Sequence, residues 1–279
     1  MKIFIVGLGL MGASYAQKLT EVGHEVYGYD KDSLTNQKAL KEGIIKSYDL
    51  KDIVGADLVI LALYPTHTID FVEKHVAYFK DQLITDISGT KVYLLDRLLN
   101  ILPKTVHYVS HHPMAGREKS GYDFKDITMF KDANFLIIDS NHANQEHIEV
   151  IKKLGKDLGF KRQLILSAKA HDMLIAHTSQ LTHLLAVGLM LMDTSDETKN
   201  ATGDSFRDLT RIANINETLW SELFLENKTS LVEKIDDFMT VLKDLKSDII
   251  NDDEKSLKEK LIEARKRRLN FDENNTTKL

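Results

Sequence analysis

The segment Lys2-Ile3-Phe4-Ile5-Val6-Gly7-Leu8-Gly9-Leu10-Met11-Gly12 decides the fold. Lys2–Val6 reads as a strand and Met11–Val22 as a helix, so the G-x-G-x-x-G run falls at a strand-to-helix turn, the context that gives such a run meaning. Gly7 permits the tight turn, Gly9 lacks a Cβ that would keep a pyrophosphate off the backbone, and Gly12 lets helix and strand pack closely. Leu8, Leu10 and Met11 complete a turn whose free amides and helix dipole receive an anion. A second strand, Glu25–Tyr29, leads into Asp30, 18 residues after Gly12. Its carboxylate can accept a hydrogen bond from a ribose 2′-hydroxyl and repels a 2′-phosphate; Lys31 and Asp32 follow, with no Arg, so NAD is expected over NADP. Turn glycines followed by a helix-capping Asp would be the bland reading, but it does not require strand, spacing and acid together.

Outward from this turn, strands and helices alternate. Leu58–Leu63 (LVILAL) is a continuous apolar run, the mark of a parallel strand buried on both faces. Leu63, Tyr64 and Pro65 close it and are expected to wall the cofactor, although a plain turn with Pro near a helix start fits equally well. Helices at Ser33–Glu42, Thr66–Phe79, Val92–Leu102 and near Gln145–Leu158, with strands at Leu83–Thr85, Val106–Ser110, Phe135–Ile138 and Lys161–Leu166, argue for an α/β domain built on a doubly wound sheet. Beyond Ser167 the strand signal stops. Ala170–Met192 reads as one long helix, apolar nearly all round in its second half and therefore buried by partners on several sides. Further helices follow near Phe206–Ala213, Glu217–Phe224, Lys228–Leu245 and Asp253–Leu269, and a polar, frayed tail covers residues 272–279. The expected division is a dinucleotide-binding Rossmann-type domain over 1–166 and an all-α domain over 167–279. A helical half this apolar favours a second subunit as cover, hence a homodimer.

Composition sets the outer limits. The 279 residues are 43% hydrophobic and 28% charged, which excludes a disordered chain, and the absence of Cys excludes disulfides, thiolate nucleophiles and Cys-ligated metal. A net charge of −5 argues against nucleic acid. The basic stretch Lys255–Arg268 is interleaved with Glu259 and Glu263 and reads as a solvated helix face. No signal peptide is expected, and the longest apolar run, the nine residues Leu184–Met192, falls short of the roughly 20 needed to span a bilayer. A cytoplasmic protein without a membrane or metal partner is the expectation.

Two segments at carboxyl ends of strands carry polar chemistry: Asp86-Ile87-Ser88-Gly89-Thr90-Lys91 and Ser110-His111-His112-Pro113-Met114-Ala115-Gly116-Arg117-Glu118. Among 11 histidines, His112 stands out because it follows a strand in a polar, Gly-containing loop of a dinucleotide-binding chain. A neutral imidazole there can take the proton of an alcohol under oxidation. Arg211 has the planar fork for a carboxylate, though most Arg residues are surface salt-bridge partners. His183, Ser179 and Gln180 share one face of the long helix and form either a satisfied network or part of a site.

Taken together, the GLGLMG turn, the DISGTK turn, HPMAGRE, DLTRIA (Asp208–Ala213) and the LW–FLENK stretch (Leu219–Lys228) resemble the prephenate dehydrogenase family over Met1 to about Leu245. The resemblance implies NAD-dependent oxidative decarboxylation of prephenate to 4-hydroxyphenylpyruvate in tyrosine biosynthesis, with the helical domain binding substrate and dimerising. It implies that His112 accepts the ring hydroxyl proton, that Arg211 holds a substrate carboxylate, and that His183 and Trp220 face the substrate, although Trp220 on residue type alone is a core aromatic. The family usually shows Gly-Ser where this chain has Ser88-Gly89, so Ser88 or Thr90 takes the role of the serine that contacts substrate and nicotinamide. No fused chorismate mutase or regulatory domain is expected. Arogenate or dual cyclohexadienyl specificity stays open as the alternative. More remote are a 3-hydroxy acid dehydrogenase, for which Lys169 would be the catalytic lysine, and a dinucleotide sensor without turnover.

Overall fold

The computed structural model describes residues 1–116, 119–139, 142 and 144–276; Arg117 and Glu118 of the HPMAGRE segment lie outside the described residues, as does the end of the polar tail. Two compact units divide the chain at Leu231/Val232.

In the first unit the strand–helix alternation is realised. The elements are β1 (Lys2–Val6), α1 (Leu10–Glu21), β2 (Glu25–Tyr29), α2 (Ser33–Lys41), β3 (Leu58–Leu61), α3 (Pro65–His75), β4 (Leu83–Asp86), α4 (Val92–Ile101) and β5 (His107–Tyr108). They build a five-stranded sheet of order β2-β1-β3-β4-β5, parallel throughout. Because β1 lies between β2 and β3, chain direction across the sheet reverses beside it, and a ligand crevice opens at the carboxyl ends of the strands there. Ile3 and Ile5 feed the core on one face of β1 and Phe4 and Val6 the core on the other, which is why β1 and β3 read as unbroken apolar runs.

The strand expected over Val106–Ser110 is in fact two. β5 ends the parallel sheet, and β6 (Ser110–Pro113) opens a second, three-stranded sheet with β7 (Asn134–Asp139) and β8 (Arg162–Ser167), separated in sequence by α5 (Gln145–Leu158). His112 therefore lies within a strand, paired with Leu136 of β7, and not in the expected loop. The period of two sends its neighbour His111 the other way, into the core against Phe135.

A continuous helical rod follows: α6 (Ala168–Ile175), a π-helical turn (Ala176–Gln180) and α7 (Leu181–Met192). By length and hydropathy alone these 25 residues would reach across a bilayer. The rod's polar residues divide between its two sides: His171, Asp172 and Gln180 are buried, whereas Lys169, His177, Thr178 and Thr182 are exposed. The far end is open rather than enclosed on several sides as expected: Leu191 is 79% and Met192 77% exposed. Short helices α8 (Thr198–Ala201), α9 (Asp204–Thr210) and α10 (Glu217–Glu226) precede α11 (Lys228–Ile250).

The second unit holds most of α11 and α12 (Glu254–Thr276), a helical hairpin clasped by Asp248, which accepts hydrogen bonds from Ser256 (3.1 Å) and Lys260 (2.6 Å). Its second helix continues through residues where fraying was expected.

Two glycines of the first turn are structural. Gly7 has φ of +90°, and a Cβ on Gly12 would lie 1.8 Å from the Gly7 carbonyl oxygen. Gly12→Ala is expected to destabilise the protein by about 1–3 kcal/mol or more, because backbone cannot move aside as a side chain can. Urea denaturation measures it, and an unchanged midpoint would contradict this packing.

Candidate active site

The nucleotide end is built from β1, α1 and β2. Asp30 sits where predicted: Oδ2 accepts the Leu8 amide at 2.8 Å and Oδ1 the Asp32 amide at 3.0 Å, so the carboxylate is fixed against the Gly-rich turn. Leu8 and Leu10 turn their side chains into the core, and Met11 packs on it. Gly9 is the N-cap of α1 and offers no side-chain cap, and a Cβ there would meet nothing within 4 Å. An open backbone cradle, an uncapped helix start and an anchored acid are what a pyrophosphate and a ribose require. Opposite, Leu63 and Tyr64 lead into α3 with buried Pro65 as its first residue. The α3 start is covered by α10: Glu222 accepts the Thr66 amide at 2.5 Å, and Asn216 donates to the Tyr64 hydroxyl at 3.3 Å.

The chemical end is built around the DISGTK turn. Asp86, fully buried, accepts from Lys91 Nζ (2.8 Å), from the Ser88 amide (2.8 Å) and from the Tyr108 and Ser110 hydroxyls. Burial pushes Asp86 up, but the Lys91 ammonium and these hydrogen bonds outweigh it and hold the carboxyl below its usual range. Lys91 Nζ also donates to the His111 carbonyl at 2.7 Å. Thr90 gives its hydroxyl to Glu226 of α10, whereas the Ser88 hydroxyl and the second oxygen of Glu226, both buried, have no protein partner among the described residues. Glu226 is pushed up to about 7 by burial, against the Thr90 hydrogen bond, with Glu222 and Asp172 adding to the rise.

His112 is half-buried on the face of β6 opposite His111, and a Cβ on Gly89 would come within 4.0 Å of its Cε1. Its Nδ1 lies 2.9 Å from Nε2 of His171, whose Nδ1 lies 2.7 Å from Oδ1 of Asp172. Burial, then the neighbouring His171, Lys91 and His111, hold His112 well below 6.5, so the imidazole is neutral at pH 7. His111 is lowered to about 3 by burial and by Lys91; its ring nitrogens meet Thr85 (2.6 Å) and Tyr15 (3.0 Å), which makes it a core histidine.

The remaining predicted residues line the helical wall. His183 Nδ1 donates to the Ser179 carbonyl at 2.9 Å, and its ring stacks on Trp220, with centroids 3.8 Å apart. Trp220 and Leu223, three residues apart on α10, join this stack to Gly89 and hence to His112. Arg211, at the exposed turn after α9, borders an open groove with Val187, Met190 and Leu191, one helical turn beyond His183. Sequence reasoning missed His171, Asp172, Asn227 and Glu226. Asn227 donates to the Asp172 carbonyl and to Gln180, each at 2.8 Å, locking α10 to the rod. For His171 and Asp172 the signal was a polar pair on an otherwise apolar helix; Glu226 and Asn227 lie within the FLENK stretch of the resemblance, which assigned them no role.

A parallel sheet with a dinucleotide cradle, and a neutral histidine at its carboxyl edge under a helical wall, define an NAD-dependent dehydrogenase. Family models agree: residues 15–164 match the prephenate dehydrogenase nucleotide-binding domain and residues 167–263 the prephenate dehydrogenase dimerization domain. The chain is 33% identical to a cyclohexadienyl dehydrogenase of Zymomonas mobilis, covering 96% of this chain and 94% of that protein. It is 32% identical to a prephenate dehydrogenase of Lactococcus lactis, covering 95% and 76% respectively. A prephenate dehydrogenase from A. aeolicus, solved in complex with hydroxyphenyl propionate and NAD+, superposes with a TM-score of 0.88 at 28% identity over 97% of this chain and 98% of that one. The chain belongs to the prephenate dehydrogenase family.

Gly9→Ala tests the cradle. The added methyl enters open space, so the melting temperature should hold within a degree or two while the Kd for NAD+ rises at least tenfold. Isothermal titration calorimetry reads the second quantity, and undiminished affinity would remove Gly9 from the site.

Proposed function

We propose that the protein oxidises and decarboxylates prephenate to 4-hydroxyphenylpyruvate with NAD+, His112 being the base. The observation that carries this reading is the His112 imidazole beside the Ser88–Thr90 turn, with Nε2 unengaged by any described residue and Nδ1 tied to His171; burial, by holding its protonation well below 6.5, favours the neutral form. When bound, the oxidised dinucleotide supplies the acceptor for the hydride leaving the ring carbon. The rest falls to the chain's own residues. Gly7, Gly9, Gly12 and Asp30 hold the nucleotide, and Leu63, Tyr64 and Pro65 wall it. His112 Nε2 receives the hydroxyl proton as the ring carboxylate leaves as carbon dioxide and the ring becomes aromatic. Ser88 takes the place of the family serine, since its hydroxyl is the uncommitted one while Thr90 is spent on Glu226. Arg211 binds a substrate carboxylate, with His183 and Trp220 forming the wall beneath it.

The division into a nucleotide domain over 1–166 and a substrate and dimerisation domain over 167–279 belongs to this proposal. So does a homodimer that covers the exposed apolar end of α7. A chain without cysteine suits the reducing cytoplasm. The Zymomonas relative, named a cyclohexadienyl dehydrogenase, favours one second reading, the use of arogenate as well as prephenate.

The decisive measurement is NADH formation with prephenate and then arogenate, each with NAD+ and NADP+; silence with both acids overturns the proposal. His112→Asn should lower kcat by about 10²–10⁴-fold with NAD+ affinity kept. Because the base works neutral and its protonation is pushed well below 6.5, kcat should stay level as pH falls from 7 through 6.5 and decline only below that. A kcat already halved at pH 6.5 would contradict the assignment. Arg211→Ala should chiefly raise KM for the acid, and loss of NAD+ binding instead would move Arg211 out of the substrate site.

A further inference from the structure

The structure assigns to His171 and Asp172 the task of setting which nitrogen of His112 is free, through a hydrogen-bonded chain Asp172–His171–His112. This inference rests on His112 being the base.

The chain has one consistent polarity. The Asp172 carboxylate accepts the backbone amides of Lys91 (2.9 Å) and Val92 (2.8 Å), and a carboxylate has only acceptor oxygens to offer. His171 must therefore donate its Nδ1 proton to Oδ1 across the 2.7 Å contact. A neutral His171 then has a bare Nε2, which can only accept. The 2.9 Å contact must be filled by the Nδ1 proton of His112, leaving Nε2 of His112 bare. Without a partner, an imidazole in water favours the opposite tautomer, with the proton on Nε2, and such a ring cannot take a proton there. Both rings are uncharged at neutral pH: burial lowers His171 in spite of Asp172, and Lys91 and His111 face the pair from the sheet side.

The chain also supports the moment of reaction. As the substrate O–H bond breaks and its proton moves to Nε2, His112 becomes an imidazolium whose Nδ1–H still points at the lone pair of His171. That ring is itself polarised by the Asp172 carboxylate. No group on the protein changes oxidation state, and the only proton moved is the substrate's. His171 and Asp172 are positioning residues, since they act through His112.

Two-bond 1H–15N spectra of histidine-labelled protein read the tautomer directly. Wild-type His112 should be protonated on Nδ1. His171→Leu removes the acceptor, and His112 should shift toward the Nε2–H form while kcat falls about 10- to 100-fold, the scale of loss seen when the hydrogen-bond partner that orients a metal-ligating histidine is removed. KM for prephenate and the Kd for NAD+ should stay within about twofold. His171→Gln keeps a carbonyl acceptor and should retain more kcat than His171→Leu. A wild-type His112 protonated on Nε2, or a His171→Leu enzyme with undiminished kcat, overturns the inference. If the variants fail to fold, the wild-type spectrum still decides it. A His112→Asn enzyme with full kcat would sink the base assignment separately, whatever the tautomer.

Discussion

A buried lysine–carboxylate pair holds the site together. Lys91 and Asp86 are both withdrawn from water, and removing two charges from solvent costs several kcal/mol apiece unless their remaining hydrogen-bonding capacity is met. Here it is met by structure that must be in place anyway. Asp86 gathers hydroxyls from β5 and β6 and an amide from its own turn, and Lys91 reaches the main chain of β6. The pair joins the end of the parallel sheet to the first strand of the second sheet. The backbone amide of Lys91 then reaches Asp172 in the rod. Ser88 is tied to the pair through its amide on Asp86, and His112 follows His111, whose carbonyl accepts from Lys91.

The arrangement also sets the electrostatics. The base proposed at His112 would have to remain unprotonated near a substrate with two carboxylates, although anionic surroundings favour its cation. The ammonium of Lys91 and the burial of His111, His112 and His171 counter that tendency. Glu226 shows the opposite case: burial and two neighbouring carboxylates bring a surface-type acid to about 7, so its negative charge is only partly present in the physiological range. Desolvation thus acts on acids and bases in opposite directions, and both shifts reduce charge around the cleft.

The nucleotide end was legible because it is local. Strand, glycines and acid lie within Lys2–Asp30, and the physics of each residue is settled by neighbours in sequence. HPMAGRE and DLTRIA were legible by resemblance. Much of the rest depends on contacts between distant residues: His112 meets His171 across 59 positions, Lys91 meets Asp172 across 81, and Thr90 meets Glu226 across 136. No periodicity carries that information. The split of Val106–Ser110 into strands of different sheets was hidden for a related reason. A bend between two strands leaves the same alternation on both sides and needs no Gly or Pro to mark it.

The π-helical turn resolves a geometrical problem in the long rod. His171 and Asp172 must face β6 and the α4 start, while His183 must meet Trp220 on the same side of the molecule. Twelve residues separate His171 from His183. At about 100° per residue, a regular α-helix would leave them about 120° apart around the axis, too far to serve one cleft. The five residues Ala176–Gln180 accommodate one extra residue in a widened turn, and the effective separation becomes about eleven residues, or about 20°. The bulge costs hydrogen-bond geometry, and Gln180 offsets part of that cost by reaching the Leu223 carbonyl and Asn227. A reading at uniform helical spacing places Ser179, Gln180 and His183 on one face. In the structure Gln180 and His183 do both face α10, Gln180 bracing the Leu223 carbonyl and His183 stacking on Trp220 with its Nδ1 held by the Ser179 carbonyl, so the irregular turn is what lets a single helix bring His171 and His183 to one cleft.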